Sequence, residues 1–424
     1  MALVASWLTT PRMDHVVGLR CTVCGISYEP KPGRYVCDTD AGTLDVEYDY
    51  QRIATVFRPE NSNDLTMWRF RALLPVAANT PVPPLPVGGT PLVRAGNSEK
   101  EFGLGELWIK DEGRQATGSL KDRASTMAVV KAWEEGATVV TTASTGNAAA
   151  ALAAVCAAAG MKAVIFVPAS APEGKLAQLL AFGAKVVLVE GTYTDAYELS
   201  QRAAGAFGWY NRNTGYNPYV GEGKKTVGLE IIEQLGWQSP DSVLVGVGDG
   251  SIIGGVHKGF RDGLALGWIS SIPRLIGVQA AGSDYLVQAW ESGENVATKP
   301  AIKAQTVADS ISADLPRDRV KAMKAVVDTG GAFVRIEDSE ILAAIPHMAA
   351  QTGVFAEPAA AAAFAGIAPA LAAGHLRAGE RVVVISTGTG LKDIASALRA
   401  VAERGVSPRR VPSNVALSDL EQML

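Results

Sequence analysis

The residues best placed for chemistry fall in four short turns. In the first, Thr117-Gly118-Ser119-Leu120-Lys121-Asp122-Arg123, a strand-like run (107–110) leads in and a helix-like run from Ala124 to Glu134 leads out. A lysine in the first turn of a helix faces the positive end of the helix dipole, which lowers its pKa and favours an imine-forming amine. The local spacing alone equally allows an exposed surface lysine. The second turn, Ser144-Thr145-Gly146-Asn147, follows a strand over 138–143 and opens a helix over 148–159. These residue types cap helices, and the free N–H groups beside them also receive an anion such as a carboxylate.

The third turn, Val247-Gly248-Asp249-Gly250-Ser251-Ile252-Ile253-Gly254-Gly255, follows a strand over 242–247. Its glycines let backbone amides close around a phosphate at a helix N-terminus. It lacks the lysine of a P-loop, and no acidic residue stands at a second strand end as a dinucleotide fold requires. A carboxylate is an awkward neighbour for phosphate, so the backbone N–H of Asp249 is expected to face the anion. The fourth turn, Ser386-Thr387-Gly388-Thr389-Gly390-Leu391-Lys392-Asp393, follows a strand over 381–385. A hydroxyl there can hydrogen-bond a ring nitrogen, and its glycines admit a flat group.

The turns stand where strands give way to other structure. Short β-branched runs at 163–167, 186–189, 242–247, 275–279 and 381–386 alternate with alanine- and leucine-rich stretches at 148–159, 174–182 and 225–235. This alternation predicts an α/β fold whose parallel sheets carry helices on both faces. Ligands of such sheets bind outside the carboxyl ends of the strands. A Pro- and Gly-rich arm occupies 75–92, three of the four cysteines cluster within 15–50, and the chain beyond 405 reads as a tail with a short terminal helix.

With 424 residues, 48% hydrophobic and 19% charged, the chain can bury the core of two domains. A net charge of −4 supplies no global basic field for nucleic acid or anionic lipid. Four cysteines are too few for a disulfide scaffold. His15, His257, His347 and His375 are too scattered for a multi-histidine metal centre. The longest apolar run, Ala148 to Gly160, covers about 13 residues where a membrane span needs roughly 20. The first residues lack the basic start of a signal peptide, so a cytoplasmic protein is expected, with no membrane or nucleic-acid partner.

Taken in order, the four turns resemble the fold-type II pyridoxal phosphate (PLP) enzymes of the tryptophan synthase β superfamily, and most closely the threonine synthases. The resemblance rests on these turns, on Asn217-Pro218-Tyr219 with Glu222-Gly223-Lys224-Lys225-Thr226, on Gly89-Thr90-Pro91-Leu92 and on Cys21-x-x-Cys24-Gly25. It runs from about residue 18 to about residue 400. It implies two open, mostly parallel sheets covered by helices, with a small N-terminal zinc-ribbon-like segment. Residues 1–50 would form that segment, 51–115 and 225–405 a large PLP domain, 116–224 a smaller substrate-side domain and 406–424 a tail.

By the same resemblance Lys121 would hold the cofactor as a Schiff base and shuttle the substrate α-proton. Asn147 would bond its phenolic oxygen and Thr387 its pyridine nitrogen, while Gly248, Asp249, Gly250 and Ser251 would cradle its phosphate. Ser144 and Thr145 would take the substrate carboxylate. The implied reaction converts O-phosphohomoserine and water to threonine and phosphate, with a homodimer as the implied assembly. A phosphorylated amino acid needs a second anion site, for which Lys175 and Lys224 or Lys225 are the candidates.

Two departures bear on this. The arginine common in the group after Asn-Pro-x is Val220 here, which leaves room for β-replacement on O-phosphoserine or a threonine/serine dehydratase. A non-catalytic protein on the same fold would lose the lysine or the ring-nitrogen partner, and both are present. In the N-terminal segment, Asp40 stands where a fourth cysteine is expected beside Cys21, Cys24 and Cys37. Aspartate is a harder and weaker partner for a thiolate site, so no metal is expected there. Cys156 reads as a small buried apolar residue.

Overall fold

The computed structural model describes residues 13–57, 62–171 and 173–423; the reading of the first residues as lacking a leader rests on 1–12, outside the described residues. Strands β1 (Val16–Cys21), β2 (Ser27–Tyr28) and β3 (Leu44–Tyr48) form a small antiparallel sheet in the order β2-β1-β3, followed by helix α1 (Tyr50–Val56). After the arm come β4 (Leu92–Arg94), α2 (Gly96–Phe102), β5 (Glu106–Asp111) and α3 (Lys121–Glu134). The next stretch runs β6 (Val139–Ala143), α4 (Asn147–Ala159), β7 (Lys162–Pro168), α5 (Glu173–Ala181), β8 (Lys185–Val189), α6 (Tyr193–Phe207) and β9 (Tyr210–Asn211). Its strands make a parallel sheet in the order β8-β7-β6-β9.

Helix α7 (Tyr219–Gln234) then leads to β10 (Ser242–Gly246), α8 (Ser251–Ala265), β11 (Arg274–Ala280), α9 (Tyr285–Ser292), α10 (Arg319–Asp328) and β12 (Ala332–Ile336). The chain ends with α11 (Asp338–Thr352), α12 (Pro358–Ala365), α13 (Ile367–Ala372), β13 (Arg381–Ser386), α14 (Ile394–Glu403) and α15 (Leu417–Met423). The larger sheet has the order β12-β11-β10-β13-β5-β4, parallel except where β4 meets β5. Two open, mostly parallel sheets are therefore present, as expected.

Side chains of a strand alternate between faces, and each face of the larger sheet has its own core. Leu244, Ile276, Val382 and Val384 pack with α11 and α12, whereas Val243, Val245, Val383 and Ile385 pack with α7, α8 and α10. Helix α7 begins at Tyr219, ahead of the 225 expected, because Asn217 Oδ1 accepts the Tyr219 N–H at 2.9 Å. The expected division at 224 thus falls inside α7. A Cβ on Gly223 would lie 2.1 Å from the Arg123 carbonyl oxygen, and one on Gly259 would lie 2.2 Å from that of Lys225. Only glycine allows α3, α7 and α8 to approach this closely. Among the described residues no helix is long and apolar enough to cross a membrane.

Candidate active site

Two of the four turns are stitched to each other. The Leu120 N–H donates to the Thr387 carbonyl and the Thr389 N–H to the Gly118 carbonyl, both at 2.9 Å, with Ser119 and Gly388 paired between them. Gly118 has φ +80°, and a Cβ there would sit 2.7 Å from Thr389 Cγ2. The Thr117 N–H and hydroxyl both donate to the Asp122 carboxylate, the amide at 2.7 Å. Burial pushes the Asp122 carboxyl up to about 6. The stitched turns place Lys121 as the first residue of α3, half-buried. Burial lowers its ammonium pKa and Arg212 lowers it further, against the opposing pull of Glu357 and Asp249.

Asn147 opens α4, and its Nδ2 donates to both Glu357 oxygens at 2.8 and 3.0 Å. The Glu357 N–H donates to the Gly388 carbonyl at 3.0 Å, so Asn147, Glu357 and the fourth turn form one unit. A Cβ on Gly388 would lie 2.4 Å from Glu357 Oε1. Burial raises the Glu357 carboxyl, opposed by Asn147 and Lys121. The Thr387 hydroxyl has no hydrogen-bond partner among the described residues, although the residue is 6% exposed. Ser144 and Thr145 lie half-buried before α4, whose first amides have no helical acceptor.

In the third turn Gly250 has φ +87°, and Ser251 opens α8. A Cβ on Gly248 would lie 2.6 Å from Ile311 Cα. Asp249 Oδ1 accepts the Arg317 N–H at 3.2 Å and its carbonyl accepts the Asp318 N–H at 2.8 Å, which ties this carboxylate to the next loop. The fully buried Lys224 ammonium donates to Ser251 Oγ. Burial holds the Lys224 ammonium well below the usual lysine range, and Lys121 and Arg212 add to this. Lys224 has no carboxylate partner among the described residues. A buried cation aimed at a helix N-terminus fits an anionic group such as a phosphate.

Lys225 is not brought to this site. One residue along α7 it turns away, into ion pairs with Glu222 at 2.7 Å and Asp262 at 2.6 Å, its ammonium 4.0 Å from the centre of the Tyr48 ring. Its ammonium is thus taken up by two carboxylates rather than left free for a substrate anion. Lys175 is carried by α5, and its side chain lies outside the described residues.

Two residues were not anticipated. Glu357 is one. The other is Arg212, which follows β9 with Nε on Ser125 Oγ at 3.2 Å and Nη1 on Thr214 Oγ1 at 3.0 Å. Its buried Nη2 has no partner among the described residues, and burial brings its pKa down to about 10. Val220, where the group's arginine is missing, is buried in the same apolar core as Tyr210.

A lysine with a depressed pKa, a free hydroxyl, an amide held by a buried carboxylate and a cationic helix start together suit a flat ring bearing a phosphate. The family model described as "Pyridoxal-phosphate dependent enzyme" matches residues 84–388. A threonine synthase of Methanocaldococcus jannaschii is 38% identical over 91% of this chain and 95% of its own length. One of Methanosarcina acetivorans is 39% identical over 88% and 92%, and one of Mycobacterium tuberculosis 38% identical over 82% and 95%. Among solved structures, threonine deaminase isoform 2 of Solanum lycopersicum shares the fold at 24% identity and a TM-score of 0.63, covering 75% of this chain and 88% of its own. Diaminopropionate ammonia lyase of Escherichia coli shares it at 19% identity and 0.64, covering 82% and 95%. The chain is thus a fold-type II, PLP-dependent enzyme of the lyase class. Within that class it belongs to the threonine synthase family.

Proposed function

We propose that this enzyme converts O-phosphohomoserine and water to threonine and inorganic phosphate, as a cytoplasmic homodimer. The observation that carries the reading is 38% identity to a threonine synthase over 91% of the chain, together with a motif set complete at Lys121, Asn147 and Thr387. PLP, when bound, supplies an electron sink for the carbanion at the substrate Cα.

The chain's own residues then divide the work. Lys121 would hold the cofactor, and its amine, whose charge burial disfavours, would carry the substrate α-proton. Asn147, its Nδ2 braced on Glu357, would bond the ring oxygen. Thr387 would offer its hydroxyl to the ring nitrogen without a charge that would keep that nitrogen protonated. The amides of Gly248, Asp249, Gly250 and Ser251 would hold the cofactor phosphate, and Lys224, which donates to Ser251 Oγ at the start of α8, would balance its charge. Ser144 and Thr145 receive the substrate carboxylate at the start of α4. Arg212, with one unpaired donor and Lys121 and Lys224 as neighbours, stands in for the arginine replaced by Val220 at the substrate phosphate.

The deciding assay offers O-phosphohomoserine, O-phosphoserine, serine and threonine to the holoenzyme and reads phosphate, ammonia and amino-acid product. Threonine and phosphate in equal amounts from O-phosphohomoserine are expected. Turnover of only the other substrates would replace this reading with β-replacement or dehydration. Light scattering on the purified chain tests the dimer, which a monomeric mass would exclude.

A further inference from the structure

We propose that Cys21, Cys24, Cys37 and Asp40 form a structural zinc site that locks the N-terminal sheet. This reverses the expectation drawn from the ligand types alone, and it rests on two matched hairpins.

In the first hairpin the Cys21 N–H donates to the Ile26 carbonyl at 2.8 Å and the Gly25 N–H to the Cys21 carbonyl at 3.1 Å. In the second the Cys37 N–H donates to the Gly42 carbonyl at 2.9 Å and the Ala41 N–H to the Cys37 carbonyl at 3.0 Å. The two superpose in sequence register, so Cys24 matches Asp40 and Gly25 matches Ala41. Both of the latter have positive φ, +78° and +54°. An alanine rarely adopts that conformation, and here it repeats what glycine does in the first hairpin.

The first sulfur of each hairpin receives backbone amides. Val23 and Cys24 donate to Cys21 Sγ at 3.4 and 3.5 Å, and Thr39 donates to Cys37 Sγ at 3.4 Å. The Tyr28 hydroxyl lies 3.0 Å from Cys37 Sγ as well. Donors gathered on sulfur suit a thiolate, the form that binds metal, and orient it as outer-shell partners do.

The four ligand atoms lie within 4.8 Å of one another. Cys24 Sγ and Cys37 Sγ are 3.6 Å apart, and Cys21 Sγ is 3.3 Å from Asp40 Oδ1. Zinc bound tetrahedrally, with bonds of about 2.3 Å to sulfur and 2.0 Å to oxygen, sets such edges at roughly 3.8 and 3.5 Å. Asp40 is also preset, since its Oδ1 accepts the Gly42 N–H at 2.8 Å. All four coordination positions are filled by the chain, which marks a structural site. Binding converts three thiols to thiolates and releases their protons. The locked sheet meets the large core through β3, where Lys258 Nζ donates to the Val46 carbonyl at 2.7 Å and Lys321 Nζ to that of Leu44 at 2.8 Å.

The test is the metal content of the full-length holoenzyme, purified under reducing conditions, with Zn2+ as the probe. About one zinc per chain is expected. Cys24→Ser should abolish it, Asp40→Cys should retain it, and Asp40→Ala should weaken it at least tenfold, roughly the least that even an outer-shell partner is worth. Cobalt(II) in its place should give the visible absorption of a tetrahedral thiolate site, absent from Cys24→Ser. The PLP absorbance should stay unchanged in all three variants, which separates metal loss from unfolding. Reduced protein that binds no Zn2+, equal zinc in wild type, Cys24→Ser and Asp40→Ala, or a Cys24–Cys37 disulfide without metal would overturn the proposal.

Discussion

Lys121 and Glu357 are electrostatically joined, and that link has a measurable sign. Burial lowers the Lys121 pKa and the Glu357 carboxylate holds it up. Capture of PLP by the apoenzyme should therefore rise with pH through a midpoint below the roughly 10.4 of an exposed lysine. In Glu357→Gln the midpoint should move lower still, because the supporting charge is gone; an unmoved or raised midpoint would contradict the coupling. Lys121→Ala should lose the borohydride-fixed cofactor and cost roughly 10²–10⁴-fold or more in turnover, the range of general acid–base catalysis. Lys121, Asn147 and Thr387 were legible because each stands in a turn of glycines and hydroxyls beside a β-branched run. Glu357 was not, since no such cluster surrounds it, and Arg212 was not, since its turn of Asn211, Asn213, Thr214 and Gly215 follows no β-branched run; only the tertiary fold brings them to Asn147 and Lys224. Lys224 and Lys225 could not be told apart in sequence. They differ by about 100° around a helix, and α7 is buried nearly all round, so no amphipathic stripe said which one faced the site.

At the scale of elements, the closeness of α3, α7 and α8 is the most exacting feature. Gly223→Ala would drive a methyl group to 2.1 Å from the Arg123 carbonyl and push α3 off α7. Overpacking of this kind costs about 1–3 kcal/mol, so the thermal midpoint should drop by several degrees. Gly205→Ala is the contrast: it lies exposed within α6 with nothing near its would-be Cβ, and should stabilise by about 0.5–1 kcal/mol. Equal effects of the two would refute the packing account. The alternating strands and helices were readable because the central strands are uninterrupted apolar runs. Two edge strands were not: β9 has two residues and β12 carries Arg335 next to its last residue, so neither reads as a buried strand.

Across the whole molecule, the arm, β5, α3 and α7 meet at a buried ionic knot. Arg123 pairs with Glu112 at 2.7 Å and Glu230 at 2.6 Å, and Lys110 pairs with Glu230 at 2.7 Å. Thr90 and Thr226 also bond the Arg123 guanidinium. Arg123→Leu leaves two carboxylates buried with too little positive charge and should cost about 3–5 kcal/mol, read as a lowered denaturation midpoint. In the wild type Arg123 holds both carboxyls below their ordinary values against the cost of burial. Their contribution is present above the unfolded glutamate pKa of about 4.3 and is lost as pH falls through the folded values. The variant's deficit should therefore shrink in acid.

The position of β13 has a consequence for how the chain folds as it is made. This strand, residues 381–386, lies between β5 and β10 in the finished sheet. During synthesis both neighbours emerge long before it, so each waits with an unpaired edge across the gap. The smaller sheet draws its strands from one continuous stretch of chain and faces no such delay. The turn bearing Lys121 completes its hydrogen bonds only when Thr387 and Thr389 arrive. The turn bearing Lys121 is therefore incomplete until residue 389 has emerged, and a nascent chain stopped before residue 381 exposes the apolar slot that β13 would fill.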